Sequence, residues 1–156
     1  PRDVSDVGRV VRQLAGVLDV PVPGLFVADE WESWVGRQPR PSPARAAFVP
    51  VWRRPWMTLA SDTYGASLLR FCGVVPVAVP GDDRYPKTTL ADVALLQPTV
   101  ALLPDEPYVF TERHVPEVAS ALGDIPVEVI AGKDLFWWGT RTPDALERLR
   151  ATLADI

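Results

Sequence analysis

The sequence predicts an α/β fold: a three-layer, Rossmann-like lobe built on a four-stranded parallel sheet. Short runs of consecutive apolar residues alternate four times with stretches of helical periodicity. Strands that are apolar along their whole length are typical of a parallel sheet covered by helices on both faces. Apolar residues make up 47% of the chain and charged residues 23%, the balance of an ordinary globular domain.

Charge and residue usage exclude several classes of protein. The chain has 156 residues, of which 16 are basic and 20 acidic, and the net charge of −4 argues against nucleic-acid binding, which requires a clustered basic face. The single cysteine, Cys72, excludes an internal disulfide, and with the single histidine, His114, it leaves no zinc site of the Cys/His type. The longest apolar runs contain prolines, so no segment predicts a membrane span.

Two predicted helices precede the alternating region. Valine and leucine recur at helical spacing over residues 4–18, and a proline-rich break separates them from a second helical stretch at residues 25–37. Residues 37–43, with three prolines, have the composition of a linker. We therefore place a boundary between residues 1–43 and residues 44–156.

Four strand–helix units follow this boundary. The predicted strands are residues 46–51, 74–79, 99–103 and 127–130. The predicted helices are residues 61–71, 89–96, 111–122 and the stretch that begins at Thr142. In sheets of this kind ligands bind beyond the carboxyl ends of the strands, so function is expected in the loops that follow them.

Those four loops combine aromatic with charged side chains. They are residues 52–60, 80–88, 104–110 and 131–141. Aromatic residues concentrated at one edge of a sheet suggest a platform for a large, flat or partly apolar ligand, with arginine and aspartate supplying polar specificity. The structural alternative is that the same aromatic rings fold back and cover the ends of the sheet.

Signatures of catalysis are weak. The chain lacks the glycine-rich phosphate-binding motifs and the GxSxG nucleophile elbow. Ser61, Asp62 and His114 do not make a convincing triad, because the histidine falls within a predicted helix. A hydrolase that uses Asp105, Glu106, Asp134 and Arg141 is a third, disfavoured hypothesis, since no activated nucleophile can be named. The chain is therefore not expected to be an enzyme.

The loop motifs resemble those of one known family. The matching segments are Val51-Trp52-Arg53-Arg54-Pro55-Trp56-Met57-Thr58 with Asp62-Thr63, Arg84-Tyr85-Pro86, Leu102-Leu103-Pro104-Asp105-Glu106-Pro107-Tyr108, and Asp134 with Trp138-Gly139-Thr140-Arg141-Thr142. In order and spacing they are similar to the class III periplasmic binding proteins, the helical-backbone metal receptors that deliver cobalamin, ferric siderophores or haem to ABC importers. The likeness covers residues 44–156 and is greatest to cobalamin-binding members.

This resemblance implies a two-lobed protein whose lobes are joined by one helix and bind the ligand between them. Residues 4–18 then correspond to the last helix of the first lobe, residues 25–37 to a short connecting helix, and residues 44–156 to the second lobe. The remainder of the first lobe is expected upstream of this chain. The implied partners are a metal-chelate ligand (a corrinoid, haem or ferric siderophore) and an ABC permease, with no intrinsic cofactor or metal site.

The resemblance also implies particular site residues. Trp56 and Tyr85 correspond to aromatic residues that pack on the ligand, and Asp134 to an aspartate that accepts hydrogen bonds from it. The expected ligand-binding set is Trp56, Tyr85, Asp134, Tyr108, Trp138 and Arg141. The family docks on its permease through a glutamate, whose position is Ala91 here, so the neighbouring Asp92 is the expected docking residue.

The missing glutamate leaves an alternative open. The chain is then an interaction or scavenging protein outside transport, which self-associates through its aromatic edge and forms a homodimer. The resemblance places the protein in the cell envelope, outside the cytoplasmic membrane. No stretch of this sequence has the pattern of a signal peptide, so that location depends on the resemblance alone.

Overall fold

The computed structural model describes residues 1–42 and 44–156. Within them the helices are Asp6–Val17 (α1), Pro21–Gly36 (α2), Tyr64–Arg70 (α3), Leu90–Leu95 (α4), Val115–Leu122 (α5), Gly132–Phe136 (α6) and Thr142–Ala154 (α7). The strands are Arg45–Phe48 (β1), Pro50–Trp52 (β2), Trp56–Thr58 (β3), Val74–Pro76 (β4), Lys87–Thr88 (β5), Val100–Pro104 (β6) and Val127–Ile130 (β7). Pro43, within the predicted linker, lies outside the described residues.

The predicted four-stranded parallel sheet is confirmed. Its strands lie in the order β4-β1-β6-β7, and all three neighbouring pairs are parallel. Every residue of β6 is buried, as expected for a central strand with helices on both faces. The chain moves from β1 outward to β4 and then returns to β6 on the other side of β1. This reversal creates a crevice beyond the carboxyl ends of β1 and β6, the usual ligand site of open α/β sheets.

A second, antiparallel sheet lies at that edge and was not predicted. Its strands are β2, β3 and β5, in that order. The predicted strand at residues 46–51 is in fact two strands, β1 and β2, which belong to different sheets. The predicted loops at 52–60 and 80–88 supply β3 and β5. Strands of two or three residues are too short to show the alternation by which strands are recognised in a sequence.

Several helix boundaries also differ from the prediction. Helix α2 begins at Pro21, where proline is tolerated because the first amide of a helix has no intrahelical partner. The cap of α3 is Thr63, whose hydroxyl accepts a hydrogen bond from the amide of Ala66, and not Ser61. The loop at 131–141 contains α6, which places its aromatic residues around a short helix.

Two apolar clusters cover the faces of the parallel sheet. Val49, Leu102 and Ile130 face one cluster, together with residues from α3 and α7. Phe48, Ala101 and Leu103 face the other, with residues from α4 and α5. Neighbouring strand residues thus point to opposite faces, and the result is the predicted three-layer lobe.

The two N-terminal helices belong to the first of these clusters. Val4, Val7, Trp31 and Val35 are buried in it, and the Trp31 indole donates a hydrogen bond to the carbonyl of Val4 over 2.9 Å. The proposed boundary at residue 43 therefore does not separate two hydrophobic cores. The correspondence of residues 1–43 to a first lobe and a connecting helix stays a prediction. Among the described residues, no helix is both long and apolar enough to cross a bilayer.

Candidate functional site: an aromatic pocket at the carboxyl edge of the sheet

An apolar pocket of about 410 Å³ opens at the edge where the loops meet. Each of the four loops that follow a parallel strand contributes to it, together with β2. The wall is formed by Val51, Trp52, Met57, Tyr85, Glu106, Pro107, Phe136 and Trp137. A pocket of this size, lined mostly by apolar and aromatic groups with one charged residue, has the usual composition of a small-molecule site.

The antiparallel sheet builds one side of this pocket. Trp52 on β2 and Met57 on β3 are paired across the hairpin, and Met57 is paired in turn with Lys87 on β5. The start of β5 thereby holds the preceding Tyr85 at the same edge. The sheet that the sequence did not predict thus positions four of the wall residues, Val51, Trp52, Met57 and Tyr85.

Three aromatic rings of the wall remain accessible to water. The exposed fraction is 45% for Trp52, 42% for Tyr85 and 54% for Trp137. Exposed aromatic rings that cluster around a pocket mark a surface for a ligand or a partner. The structural alternative, in which the loop aromatics only cover the sheet, does not describe these three side chains.

Tyr85 is the predicted binding residue that lies in the pocket wall. Trp56 does not, because neighbouring residues on a strand point to opposite faces and Met57 takes the pocket side. The Trp56 ring stacks on Phe110, with centroids 5.9 Å apart and planes 8° apart, and also contacts Phe48. Its contribution to ligand binding stays a prediction, and its position in the structure is that of a packing residue.

The other two predicted aromatic residues lie beside the pocket. Tyr108 packs behind the wall, with its ring 5.6 Å from that of Trp52 and 4.7 Å from that of Phe110. Trp138 lines a neighbouring cleft, which it shares with Tyr85 and Phe136. Tyr85 and Phe136 thus line both the pocket and the cleft that contains Trp138.

Asp134 is buried behind the loop, with 3% of its surface exposed. Arg148 donates to both of its carboxylate oxygens, over 2.8 and 2.7 Å, and Arg141 donates to Oδ1 over 2.8 Å. The hydrogen bonds from Arg148, and then those from Arg141, lower the pKa of Asp134. Two of the predicted ligand-binding residues, Asp134 and Arg141, therefore bind each other in this structure and do not line the pocket.

Asp105 and Glu106 point in different directions, as expected for neighbours on an extended segment. Oδ1 of Asp105 accepts a hydrogen bond from the amide of Gly132 over 2.7 Å, at the start of α6, whereas Glu106 lines the pocket. The two carboxylates thus do not converge as a paired acid and base. Among the described residues, no three His, Cys, Asp or Glu side chains are close enough to hold a metal ion together.

Asp92 is exposed in the first turn of α4. One of its carboxylate oxygens accepts a hydrogen bond from the Thr89 hydroxyl over 2.7 Å, and Thr89 caps the helix in return by accepting from the Asp92 amide. This local role accounts for an acidic residue at that position. A docking role for Asp92 stays a prediction.

Sequence reasoning placed the candidate site at the edge where the pocket opens, but of the pocket wall it selected only Tyr85. Trp52 and Trp137 lie in the loops predicted to form the platform, yet they were not among the selected residues, and Glu106 was considered only as an acid. Met57 and Phe136 carry no signal of their own in the sequence. Trp137 could have been selected from its place beside the predicted residue Trp138 in a run of three aromatic residues.

The fold is similar to that of one lobe in several solved structures of periplasmic binding proteins. The vitamin B12-binding protein BtuF of Vibrio cholerae matches 99% of this chain with a TM-score of 0.70 and 16% identity. A haem-binding protein of Roseiflexus, RhuT, matches 99% with a TM-score of 0.73 and 18% identity. A possible iron-binding protein of Staphylococcus epidermidis matches 97% with a TM-score of 0.75 and 14% identity.

These likenesses confirm the predicted resemblance at the level of the fold. The chain spans 62% of the length of the Vibrio protein, 64% of the Roseiflexus protein and 62% of the Staphylococcus protein. No protein-family model matches the sequence, and no curated protein matches it. The ligand therefore has to be inferred from the chemistry of the pocket.

Proposed function

We propose that this chain is the ligand-binding C-terminal lobe of the substrate-binding component of an ABC importer. The proposed ligand is a metal chelate, such as a corrinoid, haem or a ferric siderophore. The proposed location is outside the cytoplasmic membrane. The observation that carries the proposal is the apolar pocket at the carboxyl edge, with three half-exposed aromatic rings in its wall. The solved structures with this fold support it, because their names record binding of vitamin B12, haem or iron.

The chemistry of the wall suits a flat ligand with an apolar face. Burying apolar surface contributes about 25 cal/mol for each Å² removed from water, and large aromatic rings supply most of that area. The proposed role is binding without chemistry.

The rings of the wall would cover one face of such a ligand. Trp52, Tyr85 and Trp137 are each about half exposed, so a macrocycle resting on them would keep its other face in water. The proposal assigns that second face to a first lobe, in keeping with the longer chains of the solved structures. Asp92 is the proposed contact to the permease, at the exposed start of α4.

Direct titration tests the proposal. Cobalamin, cobinamide, haem and a ferric siderophore are added separately to the purified protein, and binding is followed through the absorbance of the chelate. We expect saturable binding of one of them, weakened about tenfold by Trp137→Ala, because a ring that is half exposed loses a further part of its surface to the ligand. Leu95→Ala, at an 82% exposed residue of α4 outside the pocket wall, is the control and should bind as the wild type does.

Failure of the folded protein to bind any of the four chelates would contradict the proposal. The second candidate would then be favoured, namely an interaction or scavenging protein that self-associates through the same rings. It is favoured by Ala91, an exposed residue at the position where the resemblance predicts a docking glutamate.

A further inference from the structure

Glu106 is the one charged residue in the wall of the apolar pocket, among the described residues that form it. The other wall residues are aliphatic, aromatic or methionine, apart from the Tyr85 hydroxyl. Lys133, whose Nζ stands 5.5 Å from the centroid of the Trp137 ring, is not part of the wall. The wall therefore offers a negative charge and no positive one.

One oxygen of this carboxylate has no partner within the protein. Oε1 of Glu106 is buried and accepts no hydrogen bond from the described part of the chain. Buried polar atoms are almost always hydrogen-bonded in folded proteins, because leaving one unpaired costs free energy. The surrounding atoms close this oxygen off from water, so a donor on a bound molecule would reach it once the carboxylate turns toward the pocket that the residue lines.

The backbone of Glu106 is held firmly in place. Asp105 binds the amide of Gly132, and a Cβ atom at Gly132 would lie only 2.6 Å from the Glu106 carbonyl oxygen and 2.8 Å from its nitrogen. The chain at Gly132 thus packs directly on the backbone of Glu106, with no room for a side chain between them. The fixed backbone keeps the carboxylate at one place in the wall, and only its side-chain bonds remain free to turn.

We propose that Glu106 determines which chelate the pocket accepts: one whose rim carries N–H donors, such as a corrinoid with amide side chains, and not one whose rim carries carboxylates. This inference rests on the proposed function and names the ligand class within it. In a pocket of low dielectric an amide N–H would satisfy the free carboxylate oxygen, whereas a ligand carboxylate facing the same oxygen would be repelled.

Two ligands with the same corrin ring separate these cases. Cobinamide carries amides on its rim, and cobyrinic acid carries carboxylates. Dissociation constants are measured for both, at one ionic strength, with the wild type and with Glu106→Gln. Glu147→Gln, at an exposed residue of α7, is the control because it removes the same charge outside the pocket. Thermal unfolding of each variant establishes that it is folded.

We expect the wild type to bind cobinamide at least about tenfold more tightly than cobyrinic acid. Glu106→Gln should lower the ratio of the two dissociation constants about tenfold. Glu147→Gln should leave the ratio as it is. A wild-type protein that binds both ligands equally, or a ratio that Glu106→Gln does not change, would overturn the inference and leave the proposed function intact. If no chelate binds, both the inference about Glu106 and the proposed function are contradicted.

Discussion

At the scale of the residue, Asp134 connects the loop after β7 to α7. Its buried carboxylate accepts hydrogen bonds from Arg148 and Arg141, which are 53% and 33% exposed. The pairing lowers the pKa of the carboxyl group from its usual value of 3.8. A carboxylate with a lowered pKa stabilises the folded state above its unfolded pKa, and this contribution is lost as the pH falls through the folded one.

Asp134→Asn should therefore cost about 1–2 kcal/mol in the free energy of unfolding at pH 7, a moderate value because water reaches both arginines. Between pH 7 and about pH 3 the wild type should lose more stability than the variant, since only the wild type has this carboxylate to protonate. Urea unfolding at the two pH values measures the difference. Asp3, Asp6 and Glu32 also have lowered pKa values, but they titrate in both proteins. Equal losses in the two proteins would contradict the structural role.

The single-residue assignments were the hardest to predict from the sequence, for a physical reason. Whether Trp56 or Met57 faces the pocket depends on the side of β3 to which each residue points. A strand of three residues is too short for its sequence to indicate this. The partners of Asp134 lie 7 and 14 residues further along the chain, and Arg148 reaches the carboxylate from α7. Tyr85 was selected from the resemblance, through its position before Pro86, and it does lie in the pocket wall. The spacing of residues along the sequence does not indicate where a side chain points or which distant residue it pairs with.

At the scale of the element, the repeated strands and helices were predictable because each carries its own periodicity. Helices α3, α4, α5 and α7 and the four parallel strands fall where the apolar runs indicated. Strands β2, β3 and β5 were not predictable, because they are two or three residues long and are held by pairing with one another. That small sheet forms one side of the pocket, so the edge was predictable and its detailed wall was not.

Helix α1 also belongs to the element scale, because its place in the core can be tested with two valines. Val7 is 1% exposed and Val17 is 82% exposed. Val7→Ala should lower the free energy of unfolding by about 2 kcal/mol, since it removes two buried methyl groups and leaves a cavity. Val17→Ala on the same helix should change it by less than about 0.5 kcal/mol. Equal, small effects in denaturant unfolding would mean that α1 is not part of this core.

At the scale of the whole molecule, two of the apolar surfaces that the described residues expose can be compared. One is the aromatic edge formed by Trp52, Tyr85 and Trp137, and the other is the end of α1, at Val17 and Leu18. Exposed apolar patches bind ligands, partners or further copies of the same chain. A chelate in the pocket would cover the first surface and leave the second as it is.

We therefore expect the ligand-free protein to self-associate at high concentration through the aromatic edge, and a saturating chelate to return it to the monomer. Ligand and second copy would bury the same rings, so their binding is mutually exclusive and each lowers the apparent affinity for the other. Sedimentation velocity over a concentration series measures both states. Trp137→Ala should weaken the association even without ligand, whereas Val17→Ser should not. Association that persists with ligand and with Trp137→Ala, but is lost in Val17→Ser, would assign the contact to α1 and leave the aromatic edge to the chelate alone.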